Sequence, residues 1–318
     1  MPELPEVETV RRGLNRKTLN QPIQGGDVLL ERTIAYPTTV SEFLAGLEGT
    51  TIATWHRRGK YLLAELTRGG GDGGDEGDKE VTIKLANTSP SPSSLPSPPS
   101  LSSSSSPPAA GYLGVHLRMT GQLLWLPPTE PLQKHTRVRL FMGDDRELRF
   151  VDQRTFGQMW WVPPGQPPEQ VITGLQALGP EPFSDQFSVA YLIKQLCDRR
   201  RPIKNALLDQ SLVAGVGNIY ADEALFLSGI HPTTLCCDLP RSQIERLRDN
   251  IIRVLEASIE AGGTTISTFR DLAGVNGNYG GVAWVYGRDG DDCRQCGTVI
   301  QRLKLAGRSA HFCPTCQL

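Results

Sequence analysis

Val7, Val10 and Leu14 recur at i, i+3 and i+7, so residues 6–19 read as an amphipathic helix, with Pro5 tolerated in its first turn. Short β-rich runs follow at 28–34, 50–55, 61–66, 81–85, 112–119, 122–126, 137–142, 147–151 and 158–162. Gly, Pro and Asp punctuate them, which favours an antiparallel sandwich or barrel over alternating βα units. Helical spacing takes over after Pro182, at 187–197, 202–208, 218–227 and 241–261, with breakers between the segments. A glycine-rich stretch, 262–281, then leads to a small tail carrying cysteines. No internal repeat is present.

Residues 68–110 interrupt the β-rich half. Between Thr88 and Ala110, 18 of 23 residues are Ser or Pro, too little apolar surface to offset the entropy of ordering, so the segment reads as a surface loop within which 81–85 could pair as a strand. The pattern thus predicts three regions: 1–180 with the sandwich, 181–285 helical, and 286–318 as the tail.

Composition narrows the class. The 318 residues carry 33 Lys plus Arg against 34 Asp plus Glu, so any anion-binding surface must be local. No run approaches the ~18 apolar residues of a membrane helix, and the start, Met1-Pro2-Glu3-Leu4-Pro5-Glu6, carries acids where a secretory signal would be basic. A soluble, cytoplasmic chain is expected. In a reducing compartment thiols are more often metal ligands than disulfide partners, and four of the seven cysteines lie in the last 26 residues.

Those four are the strongest chemical signal. Cys293-x2-Cys296, sixteen residues, then Cys313-x2-Cys316 is the spacing at which a hairpin brings four thiolates into a tetrahedron around one structural zinc ion, with no open position for a reacting water. Arg294, Arg302, Lys304 and Arg308 make the tail basic, which suits either phosphate contacts or a solvated cationic face. Two glycines precede Asn218 at a predicted helix start, where free amides capped by Asn218 would accept a phosphate. Upstream, Arg199, Arg200, Arg201 and Lys204 place four positive charges within six residues. At the N-terminus, removal of Met1 would leave Pro2 as a secondary amine. Its adduct with a sugar carbon is an iminium that cannot be neutralised at nitrogen, an obligatory electron sink, and Glu3 and Glu6 stand near enough in sequence to move protons.

In chain order, Pro2-Glu3-Leu4-Pro5-Glu6-Val7-Glu8, Arg58-Gly59-Lys60-Tyr61, His116-Leu117-Arg118-Met119-Thr120-Gly121, Asp152-Gln153-Arg154-Thr155-Phe156-Gly157, the run from Gly215 to Glu223 and the four-cysteine tail closely resemble formamidopyrimidine-DNA glycosylases. The resemblance extends from residue 2 to residue 317 and leaves out only the insertion near 68–110. It implies an α+β fold: an N-terminal helix on an antiparallel β-sandwich, then a helix-two-turns-helix domain with a zinc-finger hairpin. It also implies a monomeric enzyme acting on double-stranded DNA, without membrane or organic cofactor, that removes oxidised purines and then cleaves the abasic strand by β,δ-elimination.

Carried over by motif, Pro2 is implied as the Schiff-base nucleophile, Glu3 as the general acid/base, Lys60 as a phosphate contact and proton donor, and Arg308 as the zinc-hairpin arginine that grips phosphate. Met119, Arg154 and Phe156 are implied to fill the hole left by an extruded nucleotide, an apolar plug, a guanidinium for the orphaned cytosine and an aromatic wedge. His116, His135, Arg199, Lys204 and Asn218 are implied as backbone-phosphate contacts, and Thr264, Thr265 and Tyr279 as part of a lesion-capping loop. Read from position alone, Met119 and Phe156 also suit a core. Cys197, Cys236 and Cys237 fit no redox or metal pattern. An endonuclease VIII-type relative shares the Pro-Glu start and zinc hairpin, but Leu4-Pro5 and the Met119, Arg154, Phe156 set argue against it.

Overall fold

A computed structural model describes residues 1–68, 108–264 and 281–318. The expected strand at 81–85 and the lesion-loop residues Thr265 and Tyr279 lie outside the described residues.

The first helix, α1 (Leu4–Lys17), buries the predicted stripe: Val7, Val10 and Leu14 are at most 1% exposed. Arg16 and Lys17 in its last turn oppose the negative end of the helix dipole. The apolar run expected as one strand at 28–34 is instead divided between two sheets. Strand β1 (Ile23–Val28) precedes it, a single 3-10 turn (Glu31–Thr33) follows, and β2 (Ile34–Tyr36) begins the second sheet. An eight-residue helix with no clear sequence signal, α2 (Val40–Leu47), comes next. The Thr39 hydroxyl caps it by accepting from the Glu42 amide, and Phe43 and Leu47, four apart, reach the core.

The remaining strands are β3 (Thr50–Arg58), β4 (Tyr61–Arg68), β5 (Ala109–His116), β6 (Gly121–Leu126), β7 (Thr136–Met142), β8 (Arg146–Asp152) and β9 (Gln158–Val162). They form a four-stranded sheet in the order β1-β7-β8-β6 and a five-stranded sheet in the order β2-β9-β5-β4-β3, antiparallel except for β2 against β9. Strand β5 ends at His116, short of the expected Met119, because Arg118 adopts φ +52° and the Gly121 amide closes a turn on the Leu117 carbonyl. Strands β4 and β5 pair from Tyr61↔His116 at one end to Thr67↔Ala109 at the other. The 69–107 segment therefore joins the end of this ladder opposite Lys60 and His116.

A short helix, α3 (Pro168–Val171), leads to the helical half: α4 (Val189–Leu196), α5 (Ile203–Leu207), α6 (Asn218–Ser228) and α7 (Arg241–Glu260). A hairpin, β10 (Gln301–Leu305) and β11 (Arg308–Phe312), ends the chain. No helix among the described residues is long and apolar enough to cross a membrane.

Two large cores result. One joins α1 to both sheets through Val7, Val10, Leu14, Trp55, Leu113 and Phe150; the other joins α4 to α7 through Leu192, Leu207, Tyr220 and Leu247. Leu4 is the exception to this division. It opens α1 yet belongs to the helical core, so the first turn of the helix is built into the opposite half of the molecule. Leu4→Ala should cost about 2–5 kcal/mol of stability, the range for truncating a buried Leu, read from the denaturant midpoint; a loss below about 1 kcal/mol would show that this junction carries little packing energy.

Candidate active site, nucleic-acid interface and zinc centre

The N-terminus is held by close backbone approach. The Leu4 amide donates to the Gly215 carbonyl at 3.1 Å, and Gly215 has φ +89° with no room for a Cβ beside the Leu4 side chain. A Cβ on Gly217 would overlap the Glu3 carboxyl. These glycines admit the N-terminal segment itself. Gly217, not Asn218, is the cap of α6, and Asn218 is its first helical residue. The amide of Ile219, one of the free donors at that helix end, is taken by Glu3 Oε1 at 3.2 Å. Glu3 therefore occupies part of the anion site expected for phosphate.

Glu3 is 3% exposed, and its Oε2 is buried without a hydrogen-bond partner among the described residues. Burial pushes its pKa up to about 7; Lys60 counteracts this and Glu6 reinforces it. Glu6 is buried in turn. It accepts from the Glu3 amide at 2.8 Å, the Tyr220 hydroxyl at 2.5 Å and the Thr264 amide at 2.8 Å, which ties residue 3 to the start of the glycine-rich stretch.

Lys60 follows a tight turn between β3 and β4 in which Gly59 has φ +57°. Glu181 anchors that turn from the start of the helical half. It accepts from Arg57, Arg58 and the Gly59 amide at 2.7, 3.2 and 2.6 Å. Lys60 Nζ is thereby directed across the cleft to the Val216 carbonyl at 3.0 Å. Burial lowers its pKa, while Glu3 and Glu6 raise it. A pocket of about 280 Å³ opens here, its wall formed by Met1, Glu3, Lys60, Met119, Asn218 and Arg308, among others. Met1 is thus placed over buried Pro2, where loss of the methionine would bare the amine. A proton donor, a proton acceptor and a nucleophile can all meet a sugar in this space.

Next to it, a cavity of about 560 Å³ is lined by Met1, Arg32, Arg118, Met119, Arg154, Phe156 and neighbouring residues. Met119 is half-buried in the turn after β5. Phe156 is 51% exposed in the loop after β8, with the Arg154 guanidinium 5.0 Å from its ring centre. The structure therefore places neither Met119 nor Phe156 in the core. His116 is buried against Tyr61, ring centres 4.4 Å apart, and its Nδ1 accepts from the Arg118 amide. Burial lowers its pKa to about 3, so it is a neutral ring with its N–H at Nε2, able to donate but not to offer charge. His135 is half-buried, with Nδ1 3.2 Å from the Arg137 guanidinium. Arg199 is partly exposed and shares Asp209 with Arg201, at 3.7 and 2.7 Å.

The four cysteine sulfurs lie within 4.8 Å of one another. Four thiolates at that spacing suit tetrahedral zinc, and they complete its coordination, so the ion holds the hairpin and leaves no site for a substrate. At the hairpin tip, Ala306 and Gly307 have positive φ and set Arg308 out into the 280 Å³ pocket. Lys204 is not where a phosphate contact is expected. Its ammonium is 1% exposed, 2.6 Å from Asp222 and 2.5 Å from the Ser309 carbonyl, so it docks the hairpin onto α6. Asp222 also accepts from the His311 amide, and neighbouring Glu223 accepts from the amides of Trp284, Val285 and Tyr286. No local sequence signal marks Glu181, Asp222 or Glu223, since none of their side-chain partners is a near neighbour along the chain.

The fold and site define a class: a β-sandwich and a helical unit sharing a cleft, with a buried N-terminal segment at its floor and a zinc hairpin at its rim. Residues 1–159 match the formamidopyrimidine-DNA glycosylase N-terminal domain, residues 178–270 its H2TH domain, and residues 290–318 the zinc finger found in FPG and IleRS. The chain is 62% identical over 317 residues to the formamidopyrimidine-DNA glycosylase of Nostoc punctiforme, covering all of this chain and 96% of that one. It is 58% identical to that of Acaryochloris marina, covering all of this chain and 99% of that one. Two solved structures of Lactococcus lactis Fpg are similar. One, a mutant with DNA containing Fapy-dG, has TM-score 0.80 at 33% identity; the other, with DNA containing an abasic site, has 0.79 at 32%; each comparison covers 99% of both chains. The chain belongs to the formamidopyrimidine-DNA glycosylase family.

Two outcomes follow from this geometry. Metal analysis should find one zinc per chain, and X-ray absorption should show four sulfur ligands at about 2.3 Å; a shell containing nitrogen would rule out the four-cysteine centre. The second concerns Glu3. Its folded pKa is raised, so it favours folding while protonated, and that contribution fades as pH rises from about 4.5 through about 7. Glu3→Gln should therefore gain stability relative to the parent chain across that interval, by about 3 kcal/mol at most. A stability difference independent of pH would contradict a protonated, buried Glu3.

Proposed function

We propose that this protein is a bifunctional DNA glycosylase that excises oxidised purines, 8-oxoguanine and formamidopyrimidines, from duplex DNA and then cleaves the abasic strand by β,δ-elimination. The observation that carries this reading is the N-terminal pocket: Met1 over buried Pro2, with Glu3, Lys60 and Arg308 in the surrounding wall.

After loss of Met1, the neutral Pro2 nitrogen attacks C1′ of the damaged nucleotide, the bond from C1′ to the base breaks, and the base departs with a proton. The nitrogen lone pair then expels the ring oxygen O4′, which takes up a proton as the C1′–O4′ bond breaks, and the resulting iminium draws electrons from C2′ once a proton is removed there, so that the 3′-oxygen leaves. Glu3, held near pKa 7, exchanges protons with the sugar at neutral pH. Lys60, whose proton is loosened by burial, donates to the departing phosphate oxygen, and Arg308 binds the phosphate lost in the second elimination. Zinc supplies no chemistry beyond holding the hairpin.

A damaged base must leave the stack before any of this can occur. Met119, Arg154 and Phe156 enter the vacated space, with Arg154 facing the orphaned cytosine. Neutral His116, half-buried His135, partly exposed Arg199 and Asn218 at the head of α6 hold backbone phosphates. Thr264, bonded through its amide to Glu6, begins the lesion loop to which Thr265 and Tyr279 also belong. Lys204 acts at one remove, through the docking of the hairpin. The functional division we favour is 1–180 for nucleophile and wedge, 181–285 and 286–318 for the grip on DNA, working as a monomer on nucleoid DNA in the cytoplasm.

Borohydride should trap the Met1-free protein covalently on a duplex carrying 8-oxoguanine opposite cytosine. Pro2→Gly should weaken trapping strongly, and an N-terminal extension should abolish it. Trapping that survives the extension would remove Pro2 as the nucleophile, and preference for a thymine glycol duplex would overturn the assignment to oxidised purines.

A further inference from the structure

Asp152, the last residue of β8, is 1% exposed, and its carboxylate is used on both sides. Oδ1 accepts from the Thr120 hydroxyl at 2.5 Å and from the Arg154 amide at 3.2 Å. Oδ2 accepts from the Gly157 amide at 2.7 Å. The Arg154 amide also donates to Thr120 Oγ1 at 3.0 Å, closing a small ring of hydrogen bonds. The backbone of Asp152 reaches a third loop, its amide donating to the His135 carbonyl at 2.9 Å and its carbonyl accepting from Arg137 at 2.8 Å.

The loops gathered this way are those carrying Met119 on one side and Arg154 and Phe156 on the other. Both contain a non-glycine residue in the left-handed region, Arg118 at φ +52° and Thr155 at φ +59°, conformations that persist only where surroundings hold them. Phe156 stands half-exposed between residues whose amides end on Asp152, and Gly157 has no space for a Cβ beside Phe150. Side chains that must push into a base stack lose affinity if they have to be ordered at that moment, so a scaffold that orders them beforehand lowers the barrier to extrusion.

We propose that Asp152, together with Thr120, is a positioning residue that joins the Met119 turn and the Arg154 to Phe156 loop into one preformed wedge. It governs how efficiently a paired lesion is extruded and how well the opposite base is read. The proposal rests on the function given above and adds to it a residue that touches neither the sugar nor the lesion.

Asp152→Asn tests it with little change of shape. If the amide nitrogen takes the place of Oδ2, the Gly157 N–H loses its acceptor; if it takes the place of Oδ1, the Arg154 N–H is left with Thr120 Oγ1 alone and the charge-assisted bond from the Thr120 hydroxyl is lost. Thr120→Val cuts the Met119 turn from Asp152 and also removes one of the two acceptors of the Arg154 amide, and Thr120→Ser keeps the hydroxyl. Excision of 8-oxoguanine opposite cytosine should fall about 10- to 100-fold in Asp152→Asn and Thr120→Val, the range for losing buried charge-assisted hydrogen bonds. Discrimination between cytosine and adenine opposite the lesion should shrink, and Thr120→Ser should restore both. Cleavage at a preformed abasic site, where no base has to be extruded, should change little, while the melting temperature should fall by no more than a few degrees, the effect of one buried hydrogen bond. Unchanged excision and unchanged opposite-base discrimination would overturn the proposal. So would a loss of excision and abasic cleavage in parallel with a fall in melting temperature, the mark of a merely structural role. Failure of the parent protein to be trapped by borohydride would instead sink the glycosylase reading, which separates the two failures.

Discussion

The close approach of residues 2–4 to the turn at Gly215–Gly217 is the constraint on which the rest of the molecule depends. Two cores are built around the two ends of one helix. Val7, Val10 and Leu14 enter the sandwich, whereas Leu4 enters the helical half and leaves Glu3 against the head of α6. A chain terminus is ordinarily frayed. Here the leading residues are pinned because a glycine backbone allows contact that any side chain would block, and the pinned terminus is what turns an ordinary cleft into a reactive one.

Charge in this molecule does two separate jobs. Acids and bases that pair in the interior act as struts: Glu181 with Arg57 and Arg58, Asp222 with Lys204, Glu147 with Arg139 and Arg149. Pairing compensates their burial, and losing one partner would strand the other. Arg118, Arg154 and Arg308 have no ion-pair partner among the described residues and line the two pockets. A nearly neutral chain thereby presents positive charge along the cleft, while the acid at its floor is kept near neutrality by burial.

The zinc hairpin shows how such struts reach function. Four thiolates define its fold, but zinc does not decide where the hairpin sits. That placement comes from Lys204 and Asp222, which hold the backbone of Ser309 and His311, next to Arg308 at the hairpin tip. Asp152 makes the corresponding contacts among the loops of the sandwich, where one carboxylate accepts from the Thr120 hydroxyl of one loop and from the Arg154 and Gly157 amides of another.

Local periodicity was enough to read α1, the helices of the second half, most strands and the zinc spacing, because each depends on neighbours within a few residues. The order of motifs was enough to read the family. The division of the run at 28–34 between two sheets was not legible, since apolar residues say that a strand is buried but not in which sheet. Asn218 looked like a cap, and only the presence of Glu3 at that helix end gave the place to Gly217. Lys204 looked like one cation among four, and only Asp222, eighteen residues on, removed it from the surface. Sequence alone determined which side chains this protein has for chemistry. Which of them face the cleft, which hold others in place, and which are shifted in protonation were decided by tertiary structure, because burial and distant partners set those properties and neither is written in local order.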